Sequence, residues 1–218
     1  MKKEAIIIFT RVPIPGKTKT RLQTCLSPKD CALIHSNFLK DIFNVCKKTK
    51  KDILIFYTPK SDKHILVNLL GENNTYIPQE GSDLGEKMAN AISYVLDKNY
   101  ESCVLIGTDV PQIKSVTLLN AFYYLNNKDV VIGPTYDNGY YLIGMKKVHR
   151  GIFENQTYGS GDVLSNTIGQ FKRLGLSYEL VDTCLDIDDK QDLSILKKDI
   201  QNRKTVDCIN TINFLKNK

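Results

Sequence analysis

Short apolar runs alternate along this chain with segments of helical periodicity, and this alternation limits the fold more than any other feature. Runs of strand length at 5–9, 52–58 and 102–107 are separated by longer segments whose apolar residues recur every three or four positions. Strands that alternate with helices in this way are typical of α/β folds with a mostly parallel sheet. We therefore predict a three-layer α/β/α arrangement, with one sheet between two layers of helices.

Length and composition indicate one domain across residues 1–218, because 218 residues suffice for one substantial α/β core but not comfortably for two. No apolar run approaches the ~20 residues that a membrane span needs, so we expect no membrane association. The chain begins directly with the first predicted strand, and we expect no signal peptide. Six cysteines without a C-x-x-C pair are typical of reduced thiols, and we predict a cytoplasmic protein.

The loop after the first strand combines rigidity with positive charge. Pro13 and Pro15 fix the backbone φ angle and lack N–H donors, while Gly16 permits a close backbone approach. The carboxyl end of a parallel strand is where open α/β sheets bind ligands, so we predict that this loop binds a polyphosphate. Its four cations occupy eleven residues with no acid among them, and they are Arg11, Lys17, Lys19 and Arg21.

Two other interpretations of this basic loop (residues 11–21) are weaker. Gly16-Lys17-Thr18 resembles the end of a P-loop, but Arg11 stands where the first glycine belongs, and the prolines remove backbone donors. The loop could instead be a solvated basic turn. The formal charge of the chain is +6, of which the loop supplies four positive charges. This concentration favours a small anionic ligand over nucleic acid, which needs a broader basic surface.

Asp109 follows the central strand predicted at 102–107, and it should face the same sheet edge as the basic loop. A carboxylate there is well placed to hold a divalent cation that bridges phosphate oxygens. The alternative role for this aspartate is to cap the following turn.

A helix is predicted to begin near Asp83, with Gly81 and Gly85 on either side. The two glycines could leave room for a flat ligand against the helix N-terminus. They could equally permit close packing between the helix and a strand.

The segment Asp137-Asn138-Gly139 precedes a strand predicted at 140–145, and an ordinary hairpin turn explains it. Tyr140 and Tyr141 are adjacent on that strand, so their side chains should point to opposite faces and only one should face a site. The three histidines, at positions 35, 64 and 149, lack the spacing of metal ligands, and we assign them no role.

Five motifs in this order resemble the GT-A fold of nucleotide-diphospho-sugar transferases. More closely, the chain resembles the transferase family associated with radical-SAM/selenium-domain gene clusters, which is linked to arsenosugar biosynthesis. The motifs cover most of the chain and are Arg11-x-Pro-x-Pro-Gly-Lys-Thr-Lys-Thr-Arg-Leu22, Gly81-x-Asp-Leu-Gly-x-x-Met88, Ile106-Gly-Thr-Asp-x-Pro111, Gly133-Pro-x-x-Asp-x-Gly-Tyr-Tyr-Leu-Ile-Gly144 and Asp186-Ile-Asp-x-x-x-Asp-Leu193.

This resemblance implies roles for particular residues. A divalent metal, Mg²⁺ or Mn²⁺, would be held by Asp109 and Asp188, with Asp186 as the alternative second ligand. Lys17, Arg21 and Asp109 would be catalytic. Nucleotide contacts would come from Arg11, Gly16, Lys17, Lys19, Arg21, Gly81, Asp83 and Gly85. A small-molecule acceptor would contact Asp137, Asn138, Gly139, Tyr140 and Tyr141.

The type of transfer is less defined by the motifs. Metal-dependent glycosyltransferases of this fold usually carry Asp-x-Asp, whereas this chain has Thr108-Asp109-Val110 followed by Pro111. That pattern resembles the Gly-x-Asp-x-Pro of phospholactate and molybdopterin guanylyltransferases. The resemblance therefore implies a nucleotide-dependent transferase, namely a glycosyltransferase with a nucleotide-sugar donor. The alternative is a nucleotidyltransferase that joins an NTP to a phosphorylated small molecule.

Overall fold

The computed structural model describes residues 2–159, 161–205 and 207–217. Within these residues seven strands form one sheet in the order β3-β2-β1-β4-β6-β5-β7, and β6 alone among them runs antiparallel to its neighbours. The strands are β1 (Glu4–Arg11), β2 (Asp52–Thr58), β3 (Thr75–Pro78), β4 (Ser102–Ile106), β5 (Val130–Pro134), β6 (Tyr140–Met145) and β7 (Tyr178–Leu180). The mostly parallel α/β sheet predicted from the alternation is thereby confirmed.

Seven α-helices connect and flank these strands in the described part of the chain. They are α1 (Pro28–Lys48), α2 (Lys63–Leu70), α3 (Leu84–Leu96), α4 (Ser115–Leu125), α5 (Val163–Arg173), α6 (Lys190–Gln201) and α7 (Ile209–Lys216). The apolar positions near the end of the sequence predict a last helix over 205–215, whereas α7 begins at Ile209, and residue 206 lies outside the described residues. No helix of residues 2–159, 161–205 and 207–217 combines the length and the apolar character that crossing a membrane requires.

The two faces of β1 explain the layers of the molecule. Ile6 and Ile8 belong to a core that includes side chains of α1, α2 and α4. Ile7 and Phe9, which point the opposite way, belong to a second core with α3 and α5. Because helices cover both faces of the sheet, β1 is apolar without alternation over residues 5–9. The three layers follow from this burial.

A third apolar cluster lies beyond α1, where α6 and α7 pack against it. Asp41 of α1 is buried, and its carboxylate accepts hydrogen bonds from the backbone N–H groups and side chains of Asn210 and Thr211. These contacts hold the first turn of α7 against α1. Ile187, between β7 and α6, belongs to the same cluster, and its N–H donates to the carbonyl of Asp109, which brings this segment beside the carboxyl end of β4.

Candidate functional site

A cavity of about 590 Å³ opens at the carboxyl ends of β1 and β4. The two strands are neighbours, but the chain leaves β1 toward β2 on one side and returns to β4 on the other. Open α/β sheets bind ligands at such a switch point. The walls come from the basic loop, the ends of both strands, the start of α3, the two tyrosines of β6 and the segment 186–188. Its volume falls in the range of small-molecule sites.

The basic loop is closed by its own hydrogen bonds. The Thr18 hydroxyl donates to the carbonyl of Val12 at 2.9 Å and accepts from the backbone N–H of Ile14 at 3.1 Å. Gly16 has a φ of 77°, in the left-handed region that favours glycine, and Lys19 follows with a φ of 51°. This closed turn directs the side chain of Lys19 back toward the sheet instead of toward solvent.

Lys19 is the cation at the centre of the site, with a side chain that is only 5% exposed. Its Nζ lies 2.6 Å from Asp109 Oδ1 and 3.1 Å from Asp188 Oδ1, and it donates to the carbonyl of Ile187 at 2.6 Å. Burial alone would lower the pKa of Lys19. The negative charges of Asp109, Asp188 and Asp186 outweigh burial and raise that pKa, so the ammonium stays charged.

Three carboxylates converge around this ammonium. Asp109, Asp186 and Asp188 each place an oxygen within 4.8 Å of the others. The backbone N–H of Ile187 donates to the carbonyl of Asp109 at 2.9 Å, which fixes the segment 186–188 beside the end of β4. Resemblance treated Asp186 and Asp188 as alternatives, but the structure brings both of them to Asp109.

These carboxylates fit a divalent cation. Asp186 Oδ1 is buried and has no hydrogen-bond partner among the described residues. Burial, and then the charge of Asp109, raises the pKa of Asp186 to about 8. For Asp109, burial would raise the pKa, but Lys19 and then His35 outweigh it and hold that pKa low. Asp186 is therefore largely protonated at neutral pH in the bare protein, and Mg²⁺ or Mn²⁺ with oxygen ligands would supply the charge that favours ionisation of all three carboxylates.

The four cations of the basic loop divide into two kinds, which corrects the expectation that no acid neutralises them. Lys19 is paired as described, and Arg21 Nη1 lies 3.3 Å from Asp188 Oδ2 with a side chain that is 69% exposed. Arg11 and Lys17 make no ion pair with any described residue, and both line the cavity. The acids that neutralise half of the loop come from distant parts of the sequence. Two cations remain for an anionic ligand.

His35 belongs to the site although the sequence assigned it no role. It is buried on α1, with Nε2 3.1 Å from the carbonyl of Arg11 and 3.3 Å from Thr10 Oγ1. The Thr10 hydroxyl in turn lies 3.1 Å from that of Thr108. His35 Nδ1 is 3.8 Å from Asp109 Oδ1. This network joins the ends of β1 and β4, and a single histidine among apolar residues of a helix gave no signal of it.

The two glycines near the start of α3 lie close to backbone atoms, which favours the packing interpretation of both positions. A Cβ on Gly85 would lie 2.5 Å from the carbonyl oxygen of Phe153, and one on Gly81 would lie 2.8 Å from the backbone nitrogen of Lys87. Asp83 is the N-cap predicted from sequence, since its carboxylate accepts from the N–H of Glu86 at 2.8 Å. None of Gly81, Asp83 and Gly85 lines the cavity, whereas Gln79, Leu84, Lys87 and Met88 do.

The turn between β5 and β6 also lies outside the cavity wall, as does Gly16. The Asn138 amide donates to the carbonyl of Gly161 at 2.5 Å and to Ser165 Oγ at 3.1 Å, which ties the turn to α5. A Cβ on Gly139 would lie 2.8 Å from the Thr135 hydroxyl. The turn therefore has the hairpin role that its sequence allows, and of the residues assigned to the acceptor the structure leaves Asp137, Asn138 and Gly139 away from the wall.

Tyr140 and Tyr141 both contribute to the cavity wall, whereas we expected only one of them to face the site. Their side chains nevertheless point to opposite faces, as predicted. The Tyr141 hydroxyl donates to the carbonyl of Asp182 at 2.8 Å. Burial, and then the neighbouring Tyr158, raises the pKa of Tyr140 well above its usual value, so that hydroxyl remains protonated.

Comparison with solved structures identifies related architectures. A candidate nucleotide-diphospho-sugar transferase from Desulfovibrio desulfuricans is 29% identical, with a TM-score of 0.90 over 98% of this chain and 95% of that one. A 4-diphosphocytidyl-2C-methyl-D-erythritol synthase from Anaerococcus prevotii is 12% identical, with a TM-score of 0.61 over 92% and 99%. A CMP:2-keto-3-deoxy-manno-octonic acid synthetase complexed with CTP is 10% identical, with a TM-score of 0.57 over 93% and 100%. The last two likenesses concern the fold alone.

Among curated proteins, no sequence matches this chain. Residues 25–160 match one protein family, and this match covers more than half of the chain. The matched region runs from the end of the basic loop through β4, Asp109 and the β5–β6 hairpin. The chain therefore belongs to the family described as "Uncharacterized protein conserved in bacteria (DUF2064)".

Proposed function

We propose that this protein is a nucleotide-dependent transferase that uses a nucleotide-diphospho-sugar as donor and a divalent metal ion. The observation that carries the proposal is the cluster of Asp109, Asp186 and Asp188 around Lys19, in a cavity whose wall also carries two cations that form no ion pair among the described residues. The three carboxylates could bind a metal ion, and the two cations could bind phosphates. The likeness to the candidate nucleotide-diphospho-sugar transferase over nearly the whole of both chains supports the same class of donor.

The phosphates of the donor would lie along the basic loop. Arg11 and Lys17 would bind them directly, since neither cation is engaged by a carboxylate among the described residues. Arg21 would join them from its exposed position beside Asp188. These side chains would stabilise the negative charge that develops on the departing phosphate. No covalent nucleophile from the protein is required in this scheme.

Asp109, Asp186 and Asp188 would hold the metal ion, Mg²⁺ or Mn²⁺. When bound, the ion would act as a Lewis acid that neutralises charge on the phosphate oxygens. His35, Thr10 and Thr108 would keep Asp109 in position through their shared network. The acceptor, a small molecule, would approach from the side of Tyr140 and Tyr141, which line the cavity wall.

A second candidate is NTP-dependent nucleotidyl transfer to a phosphorylated small molecule. The specific observation in its favour is that a single carboxylate, Asp109, stands at the end of β4, where Thr108 and Val110 flank it. The fold is also shared with the CTP-bound synthetase and the diphosphocytidyl synthase. In this reaction pyrophosphate would leave, whereas glycosyl transfer would release a nucleoside diphosphate.

The test is a thermal-shift screen of nucleotide sugars and NTPs, each with Mg²⁺, Mn²⁺ or EDTA. A ligand that binds the folded state raises the melting temperature according to its saturation. We expect a nucleotide sugar to stabilise the protein, and to do so more with metal than with EDTA. Stabilisation by NTPs alone would favour the second candidate, and release of nucleoside diphosphate or of pyrophosphate from the bound ligand would then distinguish the reactions. If no nucleotide stabilises the protein under any condition, the proposal fails.

Three further expectations belong to this proposal. The link to radical-SAM-associated arsenosugar biosynthesis comes from the resemblance, a cytoplasmic location from the pattern of cysteines, and one transferase domain across residues 1–218 from the length of the chain. A nucleotide sugar identified in the screen would test the link to arsenosugar biosynthesis, because the sugar of the donor must match the sugar of the arsenosugar product.

A further inference from the structure

We propose that Lys19 is a tethered cation that competes with the divalent ion for Asp109 and Asp188, so that the metal binds well only when phosphate draws the ammonium away. This inference rests on the metal site of the proposed function and assigns to Lys19 a role there beyond phosphate binding. The bare site would be neutralised by the lysine. The loaded site would be neutralised by the metal, with the lysine turned toward phosphate.

The geometry places the ammonium on two of the three carboxylates that would ligate the metal. Lys19 Nζ lies 2.6 Å from Asp109 Oδ1 and 3.1 Å from Asp188 Oδ1, and both carboxylates belong to the three that each place an oxygen within 4.8 Å of the others. A divalent ion bound to Asp109 would sit roughly 2.0–2.6 Å from the ligating oxygen. Two cations on one carboxylate repel each other strongly, because a partly buried site screens them poorly.

The lysine is held in this place by its surroundings. Its side chain is 5% exposed, its ammonium donates to the carbonyl of Ile187 at 2.6 Å, and it lies 5.9 Å from the ring centroid of Phe38. Its backbone has the left-handed φ of 51° that the closed turn of the basic loop imposes. Asp109 Oδ1, beside the ammonium, is buried, but the side chains of Asp109 and Asp188 are 38% and 40% exposed and line the cavity, so a ligand can reach both residues.

Phosphate would change this balance because the loop that carries Lys19 also carries Arg11, Lys17 and Arg21. An anion bound to those cations offers the ammonium a new partner and leaves the carboxylates free for the metal. Each ligand would then strengthen the other by the same factor, as linkage requires. If Lys19 only bound phosphate, its removal would leave the metal affinity of the nucleotide-free protein unchanged.

The experiment measures Mn²⁺ binding to the full chain without nucleotide, from the electron paramagnetic resonance signal of free Mn²⁺. We expect Lys19→Met to bind Mn²⁺ at least about tenfold more tightly than the wild type, which corresponds to ~1.4 kcal/mol. Lys17→Met is the matched control, because it removes the same charge from the same loop without touching the carboxylates. It should bind Mn²⁺ as the wild type does. Adding Asp109→Asn to Lys19→Met should abolish the gain.

The outcomes separate this inference from the proposed function. If the wild type binds Mn²⁺ as tightly as Lys19→Met, the competition is refuted while the metal site stands. If neither protein binds Mn²⁺, the metal site and the inference both fail. An equal gain in Lys17→Met would show only a general effect of charge and would also refute the competition.

Folding of the variant needs its own control, because Lys19→Met leaves three carboxylates without their ammonium. The charge-balanced comparison is Lys19→Met with Asp188→Asn against Asp188→Asn alone. Here too the loss of the lysine should tighten Mn²⁺ binding by about tenfold, by the same conversion. Unchanged affinity in this pair would overturn the inference.

Discussion

Replacing Gly85 with alanine tests whether this glycine serves packing or leaves space for a ligand. The new Cβ would lie 2.5 Å from the carbonyl oxygen of Phe153 and 3.0 Å from the Tyr158 hydroxyl. The first of these distances is about 0.8 Å shorter than an ordinary carbon–oxygen contact of roughly 3.3 Å. A backbone carbonyl cannot rotate away as a side-chain end can, so the helix or the loop must shift.

The magnitude follows from two opposing effects. Overpacking costs typically 1–3 kcal/mol, and a contact with backbone lies in the upper part of that range. Alanine in place of glycine in a helix returns at most ~1 kcal/mol. We expect Gly85→Ala to lose about 2 kcal/mol of unfolding free energy, which lowers the melting temperature by roughly 4–8 °C in a chain of this size.

The control is Gly169→Ala, an exposed position within α5 where a Cβ would meet nothing within 4 Å. There alanine should stabilise the protein by about 0.5–1 kcal/mol. Urea denaturation of the two variants and the wild type measures both effects. If Gly85→Ala is as stable as the wild type but binds nucleotide more weakly, the glycine leaves space for a ligand and our packing argument is refuted.

Three further predictions concern the cavity. Lys17→Ala and Arg21→Ala should each weaken nucleotide binding, measured by calorimetry, by roughly tenfold to a hundredfold, because each removes a hydrogen bond to a charged group. Wild-type affinity in both variants would show that the loop is only a solvated turn. Asp109→Asn should abolish the tightening of nucleotide binding by Mg²⁺, and full tightening relative to EDTA would place the metal elsewhere. Tyr141→Phe should cost about 1 kcal/mol of stability in urea, because its hydroxyl bonds a backbone carbonyl. Tyr140→Phe should instead change turnover, and equal, unchanged kinetics in both variants would remove this segment from the acceptor site.

The fold was predictable because its signals are local. Burial of β1 on both faces appears in the sequence as an uninterrupted apolar run, and β1 extends that run by only a few residues. Ser27 and Asp83 cap α1 and α3 through hydrogen bonds to the third residue beyond each of them, an interaction contained within one turn of chain. Apolar runs and helix N-caps can therefore be recognised without knowledge of the tertiary structure.

Partners from distant parts of the sequence were not predictable in the same way. The basic loop contains no acid, yet Lys19 is neutralised by carboxylates about 90 and 170 residues away. His35 enters the site because one face of α1 crosses the end of β1, which no periodicity reveals. Glycine is favoured at position 85 because the carbonyl of Phe153 lies close to it, and the position of that carbonyl depends on an irregular segment.

The sequence around Asp186 and Asp188 contains a local signal that bears on which of them lies at the site. Ile187 lies between them and is fully buried, and its N–H is bonded to the end of β4. In extended chain, residues two apart share a face, so a central side chain that enters the core turns both neighbours the other way. Asp-Ile-Asp beside a sheet edge therefore predicts two carboxylates on the same side, rather than one metal ligand and one carboxylate that faces away. The pair then brings two further carboxylates to Asp109, and a cation offsets their charge there: Lys19 in the bare protein, a divalent ion in the loaded one.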